Sequence, residues 1–320
     1  MNSLLKNKKV LVVGASGFIG RNLVDELCKE GVEVNILIRK KKDIKLFSNL
    51  KLRYFIGDLL DYKSLIKATK NTDIVFNTSG ALPYHKLADI EYWNTNVVGV
   101  ENLIKASIKS KVTRFIHVST VGVYGGIAYD VTEKTQMNPW GVYSISKLEG
   151  ERVVEQYKDK IETVIIRPTL AYGPKDTRPV FFRLFKLIKK GIYFPIGKGE
   201  NYFHTLYVGN LIDALVLSAI KKEAIGEDFI IGDDPCPRFL DVEKEIFKIV
   251  GKKIPNFFIP KQFALILLGV FGKSGQVSFI TQEKKYRIGK AKKKLGYKPS
   301  VSLEKGIKRT FDWYLEQKLL

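Results

Sequence analysis

Residues that commonly bind metals or form disulfides are scarce in this chain. Its 320 residues include 2 cysteines and 3 histidines. Cys28 and Cys236 have neither the spacing of a redox motif nor that of a metal site, so we expect reduced thiols without a catalytic role. No cluster of His, Cys, Asp and Glu in the sequence has metal-ligand spacing. The sequence therefore predicts a protein without a bound metal.

Long apolar runs are also missing. The longest apolar stretch, residues 257–271, is interrupted by a Pro-Lys-Gln triplet and falls short of the ~20 residues that a membrane-spanning helix needs. Residues 1–9 contain lysines but no separate apolar segment or small-residue cleavage site, which argues against a secretory signal. We therefore expect a cytoplasmic protein without a transmembrane segment.

Acidic residues are too few to balance the basic ones. The sequence has 33 Asp and Glu against 54 Lys and Arg, a formal charge of +21. The lysines occur in short runs scattered along the chain, without the interleaved aromatic residues of a nucleic-acid-binding surface. A solvated lysine-rich surface is the simplest explanation, and we expect no specific nucleic-acid partner. An anionic small molecule or an anionic membrane surface is the alternative partner for this charge.

Apolar runs typical of buried strands alternate with helical spacing in the first half of the chain. The runs occur at residues 10–14, 34–38, 52–56, 74–76, 115–118 and 164–166. Strands that alternate with helices pair in parallel through right-handed crossovers. The pattern predicts an α/β protein with a doubly wound parallel sheet of the Rossmann type, an architecture that binds nucleotides.

The alternation of strands and helices ends near Pro168 and returns only in short runs at 205–208 and 229–232. We therefore expect a second, smaller part of the molecule, with the substrate in the crevice at the carboxyl ends of the parallel strands. The expected bounds are 1–167 with 205–232 for the Rossmann domain, and 168–204 with 233–320 for a C-terminal substrate-binding lobe.

A glycine motif follows the first predicted strand and opens a helical segment. Gly14 permits a tight turn, Gly17 lets the backbone approach a pyrophosphate, and Gly20 allows the helix to pack closely with its N-terminus facing the anion. In this context the motif predicts a dinucleotide site. The expected contacts are Gly14, Ser16, Gly17, Phe18, Ile19 and Gly20.

The residues after the second and third predicted strands bear on which dinucleotide binds. An acid after the second strand holds the ribose 2′-hydroxyl of NAD, whereas a basic residue suits the 2′-phosphate of NADP. Here Arg39 and Lys40 follow the strand, and no acid is present. Arg39 therefore favours NADP slightly, with NAD as the alternative. Asp58 and its neighbour Leu59 are expected at the adenine, whose amino group can donate to Asp58.

Tyr143 and Lys147 stand four residues apart, where a helix would place them on one face. The pKa of a tyrosine is ~10, too high for a base at neutral pH, but a nearby ammonium group lowers it by stabilising the phenolate. Lys147 can supply that group and also hold the nicotinamide ribose. Upstream, Thr120 follows a core strand, where its hydroxyl can bond a substrate oxygen. These residues predict hydride transfer at a secondary alcohol or ketone.

Together these motifs resemble the extended short-chain dehydrogenase/reductase superfamily, and in it the NAD-dependent epimerase/dehydratase enzymes. The resemblance implies that Tyr143 is the acid/base and Lys147 its partner. It places Thr120 in the catalytic Ser/Thr position, with Ser119 beside it. It also implies Asn96 as a supporting residue and a homodimer, which is common in the superfamily. The cofactor contacts that it implies beyond the glycine motif include Tyr143, Lys147 and Pro168. The segments that carry the resemblance are 14–20, 57–59, 94–99, 118–125, 143–147, 167–168, 172–174, 206–211 and 295–299.

Two departures from the family pattern narrow the expected chemistry. The 4,6-dehydratases carry an Asp-Glu pair after the catalytic Thr, whereas Val121 and Gly122 stand here, so we do not expect dehydration. Nucleotide-sugar epimerases commonly carry an Asn and a diphosphate-binding Arg where this chain has Leu170, Phe203 and His204. Other side chains would then have to bind the substrate. The candidates are Ser119, His85, Arg178 and His204, with Arg183 and Lys198 as further cations.

The sequence leaves three functions open. The first is hydride transfer on a nucleotide sugar, giving epimerisation or reduction of a keto-sugar. The second is an alcohol dehydrogenase similar to 3β-hydroxysteroid dehydrogenases and dihydroflavonol reductases, acting on a lipid-like substrate; Arg39 and the apolar segment 257–271 favour it. That segment is either an interfacial helix that contacts a membrane or the apolar face of a helix in the lobe. The third, a non-catalytic dinucleotide sensor, is disfavoured because Thr120, Tyr143 and Lys147 are all present.

Overall fold

The computed structural model describes residues 5–85, 87–126, 128–269 and 274–320, so the last two residues of segment 257–271 lie outside the described residues. The strands are β1 (Lys9–Val13), β2 (Glu33–Ile38), β3 (Arg53–Ile56), β4 (Ile74–Asn77), β5 (Arg114–Val118), β6 (Ala128–Val131), β7 (Glu162–Pro168), β8 (Leu170–Tyr172), β9 (Thr205–Tyr207), β10 (Glu227–Ile231) and β11 (Lys284–Tyr286). The helices are α1 (Phe18–Lys29), α2 (Tyr62–Thr69), α3 (Asp89–Trp93), α4 (Gly99–Lys109), α5 (Gly141–Gln156), α6 (Pro179–Lys190), α7 (Val208–Ile220), α8 (Phe239–Val250), α9 (Lys261–Gly269), α10 (Ser274–Thr281), α11 (Gly289–Leu295) and α12 (Leu303–Glu316).

The main sheet has seven strands in the order β10-β7-β5-β4-β1-β2-β3, and each neighbouring pair is parallel. This confirms the predicted doubly wound α/β fold. The chain moves outward from β1 through β2 to β3, then returns to place β4 on the other side of β1. The strand order therefore reverses between β1 and β4, and sheets of this kind bind ligands in the crevice beyond that point.

The strands of this sheet are apolar because helices cover both of its faces. Along β1, Val10 and Val12 pack into one hydrophobic cluster, whereas Leu11 and Val13 pack into another. Helices α1 and α7 contribute to the first cluster, and α2, α4 and α5 contribute to the second. The alternating side chains of a strand thus anchor a helical layer on each face.

The segment from α3 to α4 is helical throughout, with a π-helical turn at Asn94–Val98. Helix α5 packs so closely against this turn that a Cβ atom at Gly150 would lie 2.2 Å from the carbonyl oxygen of Asn96. Glycine at position 150 therefore sets the distance between α5 and the turn. This contact matters because α5 carries Tyr143 and Lys147.

The two-stranded sheets β6–β11 and β8–β9 lie outside the main sheet. The larger hydrophobic cluster also includes Phe185 of α6, Ile246 of α8 and Tyr314 of α12. The elements after β7 therefore share apolar packing with the helices on one face of the main sheet. The division of the chain into a Rossmann domain and a lobe stays a prediction.

Candidate active site

The glycine turn after β1 is shaped by two close backbone approaches. Gly14 has a φ of +80°, and a Cβ atom there would lie 2.6 Å from the backbone nitrogen of Ser79. A Cβ atom at Gly20 would lie 2.3 Å from the carbonyl oxygen of Gly14. A side chain at position 14 would push the turn away from the loop after β4. A side chain at position 20 would push the turn and α1 apart.

Helix α1 begins at Phe18, directly after the turn. Its N-cap, Gly17, is extended and provides no side-chain cap, so no side chain competes for the N–H groups of the first turn, which includes Ile19. Ser16 is exposed beside them. A helix N-terminus of this kind, reached by a glycine backbone, fits the pyrophosphate of a dinucleotide. The predicted contact residues are therefore brought together at one place.

The ends of β2 and β3 lie next to this turn in the sheet. Arg39 and Lys40 are exposed directly after β2. Asp58 Oδ1 accepts a hydrogen bond from the backbone N–H of Leu60 at 2.9 Å. Leu59 is buried, and the side-chain amide of Asn102 donates to its carbonyl oxygen at 3.0 Å. The structure thus holds the Asp58 loop in place beside the predicted adenine position.

Tyr143 and Lys147 of α5 face the carboxyl end of β5. Thr120 lies two residues beyond β5 and accepts a hydrogen bond from the backbone N–H of Gly122 at 3.0 Å. Lys147 Nζ donates to the carbonyl oxygen of Val118, the last residue of β5, at 2.7 Å. The three predicted catalytic side chains therefore meet at one strand end, close to the point where the strand order reverses.

Burial shifts the pKa values of both helix residues. It raises the pKa of Tyr143, while a hydrogen bond with Thr120 and the charge of Arg178 act in the opposite direction. It lowers the pKa of Lys147 to about 8, against the raising effect of Glu151. Lys147 is therefore still mainly an ammonium ion at neutral pH, as its predicted role requires.

The low pKa of Lys147 predicts a pH-dependent stability. The folded-state pKa is about 8, against an ordinary value of 10.5. Between these values the unfolded chain holds a proton that the folded chain has lost, so the free energy of unfolding rises with pH. We expect a rise of about 3 kcal/mol across this window relative to Lys147→Met. Urea unfolding of both proteins on either side of the window measures the difference, and parallel pH profiles would contradict the assignment.

Asn96 supports the site from the π-helical turn. Its Oδ1 accepts from the backbone N–H of Ala81 at 2.9 Å, and its Nδ2 donates to Ser146 Oγ at 2.9 Å. Ser146 in turn donates to the carbonyl oxygen of Tyr143 at 2.8 Å. Asn96 thus connects the loop after β4 with α5, one residue from Lys147. The structure gives it the position of a supporting residue.

Arg178, a substrate-side candidate, lies between the glycine-motif helix and the predicted catalytic tyrosine, Tyr143. Its guanidinium carbon is 4.4 Å from the centre of the Phe18 ring, and its Nε donates to Asp176 Oδ1 at 2.6 Å. Burial raises the pKa of both Tyr84 and Tyr143, and the charge of Arg178 opposes both shifts. The structure therefore presents a fixed cation beside Tyr143. Tyr84 and Asp176 are neighbours that the sequence motifs did not indicate.

Ser119 and His117 are buried residues that still have an unpaired polar atom. Neither Ser119 Oγ nor His117 Nε2 has a hydrogen-bond partner among the described residues. His117 Nδ1 is 3.1 Å from the side-chain amide of Asn77, and burial together with the charge of Lys147 holds the pKa of this histidine well below its usual value. Ser119 also lies next to Thr120, so its hydroxyl stays available as a substrate contact.

The structure corrects the prediction for His204. Its Nε2 is 2.8 Å from the carbonyl oxygen of Asp233, and its Nδ1 accepts from the backbone N–H of Tyr286 at 3.2 Å. Both ring nitrogens are therefore engaged with the backbone, and burial lowers the pKa to about 4. His204 connects segments of the chain, and we remove it from the substrate-binding candidates.

His85 lies in a different environment from the other substrate-side candidates. It is exposed, and its Nδ1 accepts from the backbone N–H of Leu82 at 3.3 Å. Burial and the charge of Arg39 lower its pKa. The structure therefore brings His85 near the residue that bears on the choice of dinucleotide. Pro168, the predicted cofactor contact, is the buried last residue of β7, which neighbours β5.

Arg167 forms a buried ion pair that holds α5 against the sheet. Its Nη2 is 2.6 Å from Glu151 Oε2, and its Nη1 donates to Tyr124 Oη at 2.7 Å. Arg167 also pairs with Asp228 of β10. Glu151 lies one helical turn beyond Lys147, so this pair fixes the catalytic helix. The i, i+4 spacing places Glu151 on the same helix face as Tyr143 and Lys147, and the sequence shows this spacing. The partner of Glu151 lies on β7, so the ion pair itself could not be predicted.

Removing this arginine is expected to destabilise the protein strongly. Arg167→Met leaves Glu151 buried without its partner, which lowers the free energy of unfolding by about 3–5 kcal/mol. The matched control is Arg287→Met, because Arg287 makes a two-bond ion pair with Asp130 at an exposed position. We expect no measurable change for the control. Urea unfolding compares the two, and equal losses would contradict the account.

Potential metal ligands are dispersed over the described part of the chain. Within it, no group of three or more His, Cys, Asp and Glu residues is arranged to hold a metal ion. Cys28 and Cys236 are free thiols whose pKa values are raised by burial. Of the helices that the structure describes, none has the length and apolar character needed to span a bilayer.

Comparisons with known proteins confirm the resemblance. The profile of the NAD dependent epimerase/dehydratase family matches residues 10–232. UDP-glucose 4-epimerase of Vibrio cholerae is 31% identical over 325 residues, covering 97% of this chain and 96% of that protein. A sterol-4-alpha-carboxylate 3-dehydrogenase (decarboxylating) of Mus musculus is 28% identical over 340 residues, covering 97% and 91%.

A solved structure agrees over the whole length. UDP-glucuronic acid 4-epimerase from Bacillus cereus, crystallised in complex with NAD, matches with a TM-score of 0.79 at 27% identity, covering 97% of this chain and 99% of that one. The chain thus combines this fold, the glycine turn and helix α5 with similarity along its length to NAD-dependent enzymes. The chain belongs to the NAD-dependent epimerase/dehydratase family of the extended short-chain dehydrogenase/reductases.

Proposed function

We propose that this enzyme transfers a hydride between a nicotinamide dinucleotide and a secondary alcohol or ketone carbon of a nucleotide sugar. The outcome is epimerisation or reduction of a keto-sugar. The observation that carries the proposal is the meeting of Thr120, Tyr143 and Lys147 at the end of β5. The similarity to proteins named UDP-glucose 4-epimerase and UDP-glucuronic acid 4-epimerase supports the substrate class.

The side chains divide the chemistry between them. When bound, the nicotinamide supplies hydride acceptance and return. Tyr143 Oη takes the hydroxyl proton of the substrate and gives it back, while the Thr120 hydroxyl orients the substrate oxygen. The hydrogen bond with Thr120 and the charge of Arg178 oppose the rise in the pKa of Tyr143 that burial causes. Because an ammonium has three donors, Lys147 can keep its bond to Val118 and still hold the nicotinamide ribose.

The other contacts follow from the position of each residue. Pro168 borders the nicotinamide, Asp58 and Leu59 border the adenine, and Asn96 supports α5. Ser119 and Arg178 are the substrate contacts that the structure favours, because one has an unpaired hydroxyl and the other is a fixed cation near Tyr143. The turn and first helical residues hold the pyrophosphate: Gly14, Ser16, Gly17, Phe18, Ile19 and Gly20.

The preferred dinucleotide in this proposal is NADP. Arg39 is exposed at the end of β2, where a 2′-phosphate would lie. We expect wild type to bind NADPH more tightly than NADH, and Arg39→Glu to lower NADPH affinity about tenfold while sparing NADH. Lys51→Glu, at another exposed position, is the matched control. Calorimetric titration of the three proteins with both dinucleotides measures the six dissociation constants. A wild-type dissociation-constant ratio of NADH to NADPH near or below unity would contradict the preference.

A lipid-like substrate is the second candidate. Phe203, which stands where nucleotide-sugar epimerases commonly have a diphosphate-binding Arg, is buried, with its ring centre 4.9 Å from that of Phe239. The similarity to a protein named as a sterol dehydrogenase also favours this candidate. Turnover of a sterol-type alcohol with no turnover of nucleotide sugars would select it.

The test of the reaction type is to purify the protein without added dinucleotide, denature it, and identify what is released by absorbance and mass. An epimerase regains its cofactor within each turnover and benefits from holding it tightly, whereas a net dehydrogenase must exchange it. Stoichiometric NAD would support epimerisation and overturn the role of Arg39. An empty protein that binds NADPH reversibly would support a reductase. A protein that binds neither dinucleotide would overturn the proposal.

We also propose the division of the chain into two parts, its location and its oligomeric state. The substrate lobe consists of residues 168–204 with 233–320 and closes over the Rossmann domain of residues 1–167 with 205–232. The protein is cytoplasmic and forms a homodimer. Light scattering at several protein concentrations tests the dimer, and a monomer at all of them would contradict it.

A further inference from the structure

An exposed apolar patch lies far along the chain from the glycine motif and the catalytic helix. We define it by six side chains that are all exposed: Phe194, Phe257, Phe258, Phe263, Ile266 and Leu267. Ile266 alone is 71% exposed, and Phe257 and Phe263 are each more than half exposed. Single exposed apolar residues are common on proteins, but a contiguous group of large ones marks an interaction surface.

Two of the segments that carry the patch pair with each other. The backbone N–H of Ile259 donates to the carbonyl oxygen of Pro195 at 2.8 Å, and the N–H of Gly197 donates back to Ile259 at 2.9 Å. This pairing brings the rings of Phe194 and Phe257 to 5.2 Å between centres. Helix α9 begins only two residues after Ile259, so the chain passes from this pairing directly into the helix that carries Phe263, Ile266 and Leu267.

Helix α9 exposes three of its large apolar residues. Ala264 is buried, whereas Phe263, Ile266 and Leu267 are exposed. Residues at positions i, i+3 and i+4 share one face of a helix, so these three form an apolar stripe on the outer side. Of the two interpretations of segment 257–271, an inward-facing lobe helix does not account for this orientation. Residues 270 and 271 lie outside the described part.

The two stretches of chain that carry the patch are rich in lysine and poor in acidic residues. The stretches 186–200 and 252–267 contain one acidic residue, Glu200, against seven lysines: Lys186, Lys189, Lys190, Lys198, Lys252, Lys253 and Lys261. All seven are exposed. The excess here is more concentrated than the overall charge of +21 on 320 residues. A partner for this surface must therefore be apolar at its centre and negatively charged around it.

We propose that this patch docks the protein on the surface of an anionic phospholipid bilayer. The aromatic and aliphatic side chains enter the boundary between head groups and acyl chains, while the lysines contact anionic head groups. Two other occupants compete with the bilayer. One is a protein that is apolar at its centre and negatively charged around it, and the other is a second copy of this chain. A second copy brings the same lysines and so repels the first, which is why the charge favours the bilayer.

The experiment is flotation of the full-length chain with vesicles of phosphatidylcholine alone or mixed with phosphatidylglycerol, without dinucleotide or substrate. We expect binding only to the mixed vesicles, weakened but not abolished by high salt. Ile266→Gln/Leu267→Gln is expected to weaken binding at least about tenfold. Lys252→Glu/Lys253→Glu is expected to do the same at low salt. Neither substitution involves a residue of the candidate active site, so the result is independent of the proposed reaction.

Matched controls separate docking from general effects. Leu315→Gln replaces a comparably exposed leucine on α12, and Lys109→Glu/Lys111→Glu removes two exposed lysines elsewhere; both should bind vesicles like wild type. Circular dichroism confirms folding of every variant. No binding to anionic vesicles at low salt would overturn the proposal. Equal effects of test and control variants would also overturn it. Loss of a dimer in Ile266→Gln/Leu267→Gln, with no vesicle binding by wild type, would assign the patch to a second copy instead.

Discussion

Tyr143→Phe is expected to abolish turnover while leaving dinucleotide binding intact. The substitution removes only the hydroxyl that exchanges a proton with the substrate, and general acid–base groups contribute factors of about a hundred to ten thousand. We expect a loss of at least about a thousandfold in kcat. The ring and its packing on α5 remain, so the dissociation constant of the dinucleotide should change by less than about threefold.

The control for this prediction lies at the end of the same helix. Tyr157 follows α5, about four helical turns beyond Tyr143, and its hydroxyl is 3.3 Å from Glu101 Oε1. Tyr157→Phe should therefore retain wild-type kcat. Steady-state kinetics of both variants and calorimetric titration of the dinucleotide make the comparison. An active Tyr143→Phe enzyme would refute the acid/base role, and a variant that no longer binds dinucleotide would show that the hydroxyl has a structural role.

Gly14→Ala should lose both stability and the dinucleotide site. The methyl group would lie 2.6 Å from the backbone nitrogen of Ser79, and backbone atoms can yield only if the loop after β4 moves. The positive φ adds its own cost, so we expect a loss of about 3 kcal/mol or more in the free energy of unfolding. Because the turn shifts away from the loop after β4, the backbone groups that would hold the pyrophosphate move, and no dinucleotide binding should be measurable.

Gly31 separates the two causes. Its φ of +74° is close to the +80° of Gly14, but nothing lies within 4 Å of a Cβ atom built there. Gly31→Ala should therefore lose about 1 kcal/mol from backbone strain alone and bind dinucleotide normally. Thermal and urea unfolding with a binding titration measure both variants. Equal losses in the two would show that the approach to Ser79 is unimportant.

Apolar pattern made the main sheet predictable. Strands such as β1 and β4 are buried on both faces and so appear as continuous apolar runs, and the glycine turn marks the first of them. The short strands β8 and β11 gave no such signal. Lys284–Tyr286 is a three-residue strand with two lysines, and three residues are too few to show a period of two.

Side-chain partners on distant elements could not be predicted. The motif placed Tyr143 and Lys147 on one helix face because that relation is local. The bonds of His204 to Asp233 and Tyr286, by contrast, join residues 29 and 82 positions away, and only the fold brings them together. Segment 257–271 was ambiguous for another reason. A helix that is apolar on nearly all sides has no polar face to show which side points outward.

Proton NMR in D₂O tests the proposed hydride transfer on a nucleotide sugar. The protein is incubated with NAD or NADP and with UDP-glucose or UDP-glucuronic acid, beside Tyr143→Phe as the control. We expect wild type to give one of two results. An epimerase forms the epimer without solvent deuterium at the reacting carbon, because the same hydride leaves and returns. A net dehydrogenase forms the keto-sugar together with reduced dinucleotide. Two results would contradict this transfer. One is that the sugars stay unchanged although the protein binds dinucleotide stoichiometrically, and the other is deuterium at the reacting carbon.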